Sequence, residues 1–163
     1  MTFPRNFVPA LVGALALVLA GTSGALAAGG GDGSHGGGHG KNHIALFVGA
    51  TDAYHNGTGV SLGLEYEYRL HNLLGAGLLV EYSDLDHNAW VLGVPFVLHP
   101  YKGLRLLVMP GVEFSHGHSN YLTRVGIGYD IPVGDWIMTP AFNVDFVNHH
   151  ENLVFGVAIG KSF

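Results

Sequence analysis

The segment Val60-Ser61-Leu62-Gly63-Leu64-Glu65-Tyr66-Glu67-Tyr68-Arg69 alternates without a break. Val60, Leu62, Leu64, Tyr66 and Tyr68 form one set, and Ser61, Gly63, Glu65, Glu67 and Arg69 the other. A period of two puts the sets on opposite faces of a β-strand, whereas helical spacing would mix them.

The same split recurs from His43 to Phe163. Ile44, Leu46, Val48 and Ala50 oppose His43, Ala45, Gly49 and Thr51, with Phe47 the exception. Further segments run over 74–83, 90–98, 104–115, 121–131, 136–146 and 152–163. Bulky residues such as Leu78, Phe96, Val108, Ile127, Phe142 and Phe155 alternate with small or polar ones such as Gly77, Pro95, Gly111, Gly128, Asn143 and Gly156. Eight such segments predict an all-β, eight-stranded antiparallel barrel with up-and-down topology.

Orientation follows from size. The interior of an eight-stranded barrel is just wide enough for side chains to fill, so the small face belongs inside. The bulky face then points outward, and only hydrocarbon suits so much exposed apolar surface. Segments of about ten residues fit tilted strands crossing a bilayer. Lipid offers no hydrogen bonds to an open edge, so the sheet must close. Pro95, Pro110 and Pro140 lack the N–H a ladder needs and predict bulges or locally broken pairing. Tyr54, Tyr66, Tyr68, Tyr82, Trp90, Tyr101, Tyr121, Tyr129, Trp136 and Phe163 fall near segment ends, as interfacial girdles do.

Composition agrees. Only 12% of the residues are Asp, Glu, Lys or Arg, against roughly 25% in soluble domains. Cysteine is absent, so no disulfide or thiolate metal site is available. The formal charge of -5 gives no basic footprint for nucleic acid.

The part before the barrel is of another kind. Arg5 precedes an apolar stretch from Phe7 to Ala20, then Gly21-Thr22-Ser23-Gly24 and the small-x-small sequence Ala25-Leu26-Ala27. This pattern predicts a secretory signal peptide over residues 1–27. Residues 28–42, AGGGDGSHGGGHGKN, read as a flexible Gly/His-rich linker. His35 and His39 within it, and His43 just after it, recur every four residues. On a tether, imidazoles bind Zn, Cu or Ni weakly, or are incidental to a disordered tail.

With these features in place, the chain resembles the small outer-membrane β-barrel proteins of Gram-negative bacteria over residues 43–163. The ending Val157-Ala158-Ile159-Gly160-Lys161-Ser162-Phe163 carries part of the likeness, although Lys161 interrupts its apolar set. The resemblance implies a monomer among outer-membrane lipid and lipopolysaccharide, with both termini in the periplasm. It also implies recognition of Phe163 by the barrel-assembly machinery. That sidedness makes the joins at 70–73, 99–103 and 132–135 periplasmic. The joins at 52–59, 84–89, 115–120 and 147–152 become extracellular.

Two sets of residues are functional candidates. Inside, six acids (Glu65, Glu67, Glu81, Glu113, Asp130, Asp145) face three arginines (Arg69, Arg105, Arg124). Charges in so narrow a space need partners or water, which favours a structural ion-pair network. The acidic excess leaves a narrow cation passage as the alternative. At the outer rim, His55, His87, His116, His118, His149 and His150 are candidate ligands for a transition metal such as Zn, Cu or Ni. Histidines at a polar rim also simply solvate turns.

One stretch, Phe114-Ser115-His116-Gly117-His118-Ser119-Asn120, is similar to the active-site segment of outer-membrane lipid A deacylases. That likeness implies Ser119 as nucleophile, His118 or His116 as base and Asp130 as orienter of an ester hydrolase. Adjacent strand residues point to opposite faces, so His118 and Ser119 pair only if a bulge re-aims them. The favoured expectation is a barrel without a wide pore and without catalysis, in a structural or surface-interaction role. The metal-binding or cation-passage barrel and the hydrolase stand behind it.

Overall fold

The computed structural model describes residues 40–53, 57–85, 88–115 and 117–163. The expected signal peptide lies outside the described residues, as do most of the expected linker, with His35 and His39, and Tyr54, His55, His87 and His116.

The described strand segments are β1 (Asn42–Ala53), β2 (Gly57–His71), β3 (Leu74–Asp84), β4 (Ala89–Gly93), β5 (Phe96–Tyr101), β6 (Leu104–Ser115), β7 (His118–Tyr129), β8 (Ile131–Val133), β9 (Trp136–Val147) and β10 (His150–Ser162). They make eight antiparallel barrel strands. The first closes on the last, with β1 paired to β10 from His43↔Ser162 to Ala53↔Asn152.

The extra segments are the work of proline. β4 and β5 pair with β3 in one unshifted register, Leu79↔Gly93 and Ala76↔Phe96, and are parted only at Val94-Pro95. Val94 N–H donates to the Pro110 carbonyl at 3.0 Å, but Pro110 has no N–H to return the bond. β7 and β8 likewise share one register against β9, Gly128↔Ala141 and Ile131↔Met138. Pro140 stands in the gap between those pairs. The ladders are interrupted without slipping, so no bulge forms at these prolines.

A circuit through paired residues, Asn42, Tyr68, Ala76, Phe96, Val108, Val125, Val144, Leu153 and Asp52, returns to β1 ten residues further along. For eight strands this stagger sets a tilt of about 40°.

The two faces separate as alternation requires. Leu46, Val60, Leu62, Leu78, Val108, Ile127 and Ile159 each leave about half their surface exposed on the outside. Ser61, Glu67, Glu81, Arg124, Thr139 and Asp145 are buried inside. Such a continuous apolar exterior belongs in hydrocarbon and would aggregate in water. Long inner side chains lie over glycines of neighbouring positions. The Phe47 ring covers Gly49 and Gly156, Met109 covers Gly93, and the Glu67 carboxylate covers Gly75. Phe47 therefore faces inward because glycines leave room for it.

Aromatic residues gather at both ends. Tyr68, Tyr101, Tyr129, Trp136 and Phe163 are exposed at the end where Asn42 pairs with Phe163. Near the opposite end the Tyr82 and Trp90 rings meet at 5.1 Å, tilted by 52°.

One expectation needs correcting. The joins placed at 115–120 and 147–152 are mostly strand. Ser115 pairs with His118 and Phe114 with Ser119, while His150, Glu151 and Asn152 pair with Val147, Phe146 and Asp145. Tight turns let the strands run on. Asn148 and His149 take φ of 47° and 68° between the paired Val147 and His150, the two positive values of a type I′ hairpin turn. Sequence polarity suggested a longer loop than this backbone uses.

Candidate functional site: the barrel lumen

Two ion clusters occupy the lumen. In the middle, Arg124 on β7 pairs in register with Asp145 on β9. Its Nε and Nη2 donate to the two Asp145 oxygens at 2.6 and 2.7 Å. Across the lumen, Nη1 and Nη2 donate to the two Glu81 oxygens on β3 at 2.8 and 2.9 Å. Both carboxylates are thus held by forked contacts, the geometry in which guanidinium–carboxylate pairs are strongest.

Nearer the termini, Arg105 on β6 donates to Glu65 on β2, and to Glu67 Oε2 at 3.0 Å. The other Glu67 oxygen meets His99 Nε2 at 2.9 Å. Thr139 donates to Asp130 at 2.8 Å. Arg69 is held more loosely, 3.6 Å from Glu67 and 3.9 Å from Asp130. His43 Nδ1 lies 3.2 Å from the Ser162 hydroxyl. Between the clusters remains a cavity of about 40 Å³ lined by Glu65, Glu81, Arg105, Arg124 and Asn143 among others. That is room for only a water or two.

Apolar and hydroxyl groups pack other parts of the interior. Leu79, Val91, Met109, Leu122 and Val147 form one buried apolar cluster, and Ala53, Leu85 and Ala89 another near the end away from the termini. Thr51, Ser61 and Ser83 are buried and bond one another through their hydroxyls at 2.6 to 3.2 Å. Hydroxyls that both donate and accept can satisfy each other in such a ring. Among the described residues no wide channel runs through the barrel.

Sequence reasoning placed the acids and arginines on the inner face, and there they are. It set His43 on the inner face of the first strand, where the residue is buried, but it missed His99, buried and bonded to Glu67. His99 continues the parity of its strand, and that parity was the available signal. Pro100 and the turn after it hid His99 in a presumed join.

Three of the six rim candidates lie among the described residues. His118 begins β7, His149 occupies the hairpin turn and His150 begins β10, all exposed. Among the described residues no group of three His, Cys, Asp or Glu side chains comes close enough to hold a metal ion. Ser119 pairs with the outward Phe114, while its neighbour His118 has inward parity. Asp130 follows the far end of β7, bonded to Thr139. A strand of that length holds Ser119 and Asp130 roughly 35 Å apart.

No protein-family model matches the sequence, and no curated protein sequence does either. Solved structures do match. Ail, the attachment invasion locus protein of Yersinia pestis, in complex with the heparin analogue sucrose octasulfate, is similar with a TM-score of 0.58 at 14% identity. That match covers 77% of this chain and 99% of Ail. Neisserial surface protein A matches with a TM-score of 0.58 at 12% identity over the same shares. So does the N-terminal β-barrel domain of Pseudomonas aeruginosa OprF, again at 0.58 and 12%. At such identities the likeness is one of fold: a small, closed, eight-stranded barrel of the outer-membrane type.

Proposed function

We propose that this chain is an outer-membrane protein whose barrel serves a structural or surface-interaction role and conducts no bulky solute. The filled lumen carries this reading. Forked ion pairs and the apolar cluster around Met109 and Leu122 leave other molecules only the two rims and the lipid-facing wall. Export would use the signal peptide of residues 1–27 and leave the N-terminal Gly/His linker and the C-terminal Phe163 in the periplasm. Phe163 would then be presented to the assembly machinery, and the apolar wall to lipid and lipopolysaccharide.

Reconstitution into a planar bilayer tests this. Negligible conductance is expected, and stable porin-sized steps would overturn the reading. A narrow cation passage has one observation in its favour, the excess of lumen acids over arginines. Small cation-selective steps in the same recording, lost on Glu81→Gln, would favour it. Metal binding by the rim or linker histidines is tested by zinc titration of the protein with and without residues 28–42.

A further inference from the structure

The lumen widens at the end where Asn42 pairs with Phe163. A cavity of about 520 Å³ opens there, lined by Arg69, Asn72, His99, Lys102, Tyr129 and Asp130 among others. Its wall differs in charge from the lumen beyond. Arg69 and Lys102 outnumber the single carboxylate of Asp130, whereas the deeper clusters set two acids against each arginine.

Arg69 is the informative residue. Arg124 makes four hydrogen bonds and Arg105 donates to two carboxylates. The Arg69 side chain makes none among the described residues. Its Nε is buried without a partner, and its side chain is only 19% exposed. The carboxylate oxygens at 3.6 and 3.9 Å are too far to accept a hydrogen bond. A guanidinium carries five donors in a rigid fork, and a buried Nε–H left unmade is costly. His99 lines the same cavity with its Nε2 bonded to Glu67. Lys102 adds an ammonium from the turn between β5 and β6.

We propose that this vestibule binds a phosphate group, with the Arg69 fork and the Lys102 ammonium as its principal donors. A phosphate offers several acceptor oxygens and suits forked contact from arginine together with a point charge from lysine. The group can arrive free or on a lipid. Tyr101 and Tyr129 stand exposed at the mouth, and tyrosines of that placement mark headgroup depth.

Two preparations separate the sources. The protein in phosphate-free non-ionic detergent is titrated with inorganic phosphate and followed by phosphorus NMR. The protein in phosphatidylglycerol nanodiscs is released into the same detergent, and retained lipid is counted by native mass spectrometry. Arg69→Gln and Lys102→Ala are each expected to weaken phosphate binding, or lower lipid retention, at least tenfold. Lys161→Ala, an exposed lysine near the same end, is expected to change neither. Binding in the first preparation identifies free phosphate as sufficient, and retention in the second alone identifies a headgroup. No binding in either, or binding that both vestibule variants leave intact, overturns the proposal. If Arg69→Gln does not fold, Lys102→Ala decides, because its turn is exposed.

Discussion

Arg124 shows at the scale of one residue why this interior holds together. It is buried and shares its donors between Glu81 and Asp145. Arg124→Leu would leave two carboxylates facing each other without a cation, and a cost of about 3–5 kcal/mol is expected. Urea unfolding in lipid vesicles, followed by tryptophan fluorescence, checks this. Replacing Arg124, Glu81 and Asp145 together with apolar residues of similar volume should cost far less. Gly75→Ala is a subtler change, since the new methyl would fall on the Glu67 carboxylate. A loss of about 1–3 kcal/mol is expected in the same assay. Alternation assigned Glu67, Glu81 and Arg124 to one face, but partners across a lumen depend on stagger. Arg124 meets Glu81, 43 residues away, because a ten-residue stagger brings β7 and β3 to one level. Nothing local in the sequence encodes that meeting.

Single elements were easier to read. Period-two alternation located all eight barrel strands, because burial of one face leaves no tolerance for a one-residue slip. The prolines were legible too, as each removes a donor and interrupts a ladder where it stands. Strand ends toward the outer rim were not. Histidine, asparagine and serine at 116–120 and 148–152 look like loop, yet the hairpins turn within a residue pair and the ladder continues past them. The turn at Asn148 and His149 leads to a specific expectation. Asparagine tolerates the left-handed region, but histidine at φ 68° is strained more than glycine would be. His149→Gly should stabilise the barrel by about 0.5–1 kcal/mol, once glycine's greater unfolded-state freedom is offset. A shift to higher urea midpoint in vesicles would show it. An unchanged or lower midpoint would mean the imidazole contributes to the rim.

For the whole molecule, the orientation of the two sheet faces decides where the barrel is stable. Small and charged side chains fill the lumen, bulky ones coat the wall, and closure of β1 on β10 leaves no edge. That arrangement has a stable home only where hydrocarbon meets the wall. The most direct test uses the absence of cysteine from the chain. Single cysteines placed through β2 at positions 61 to 66 can be spin-labelled and probed for collision with oxygen, which concentrates in lipid, and with a water-soluble nickel chelate. Oxygen accessibility should peak at 62, 64 and 66 and fall at 61, 63 and 65. Peaks at the odd positions, or equal exposure of both sets to the nickel chelate, would contradict the account.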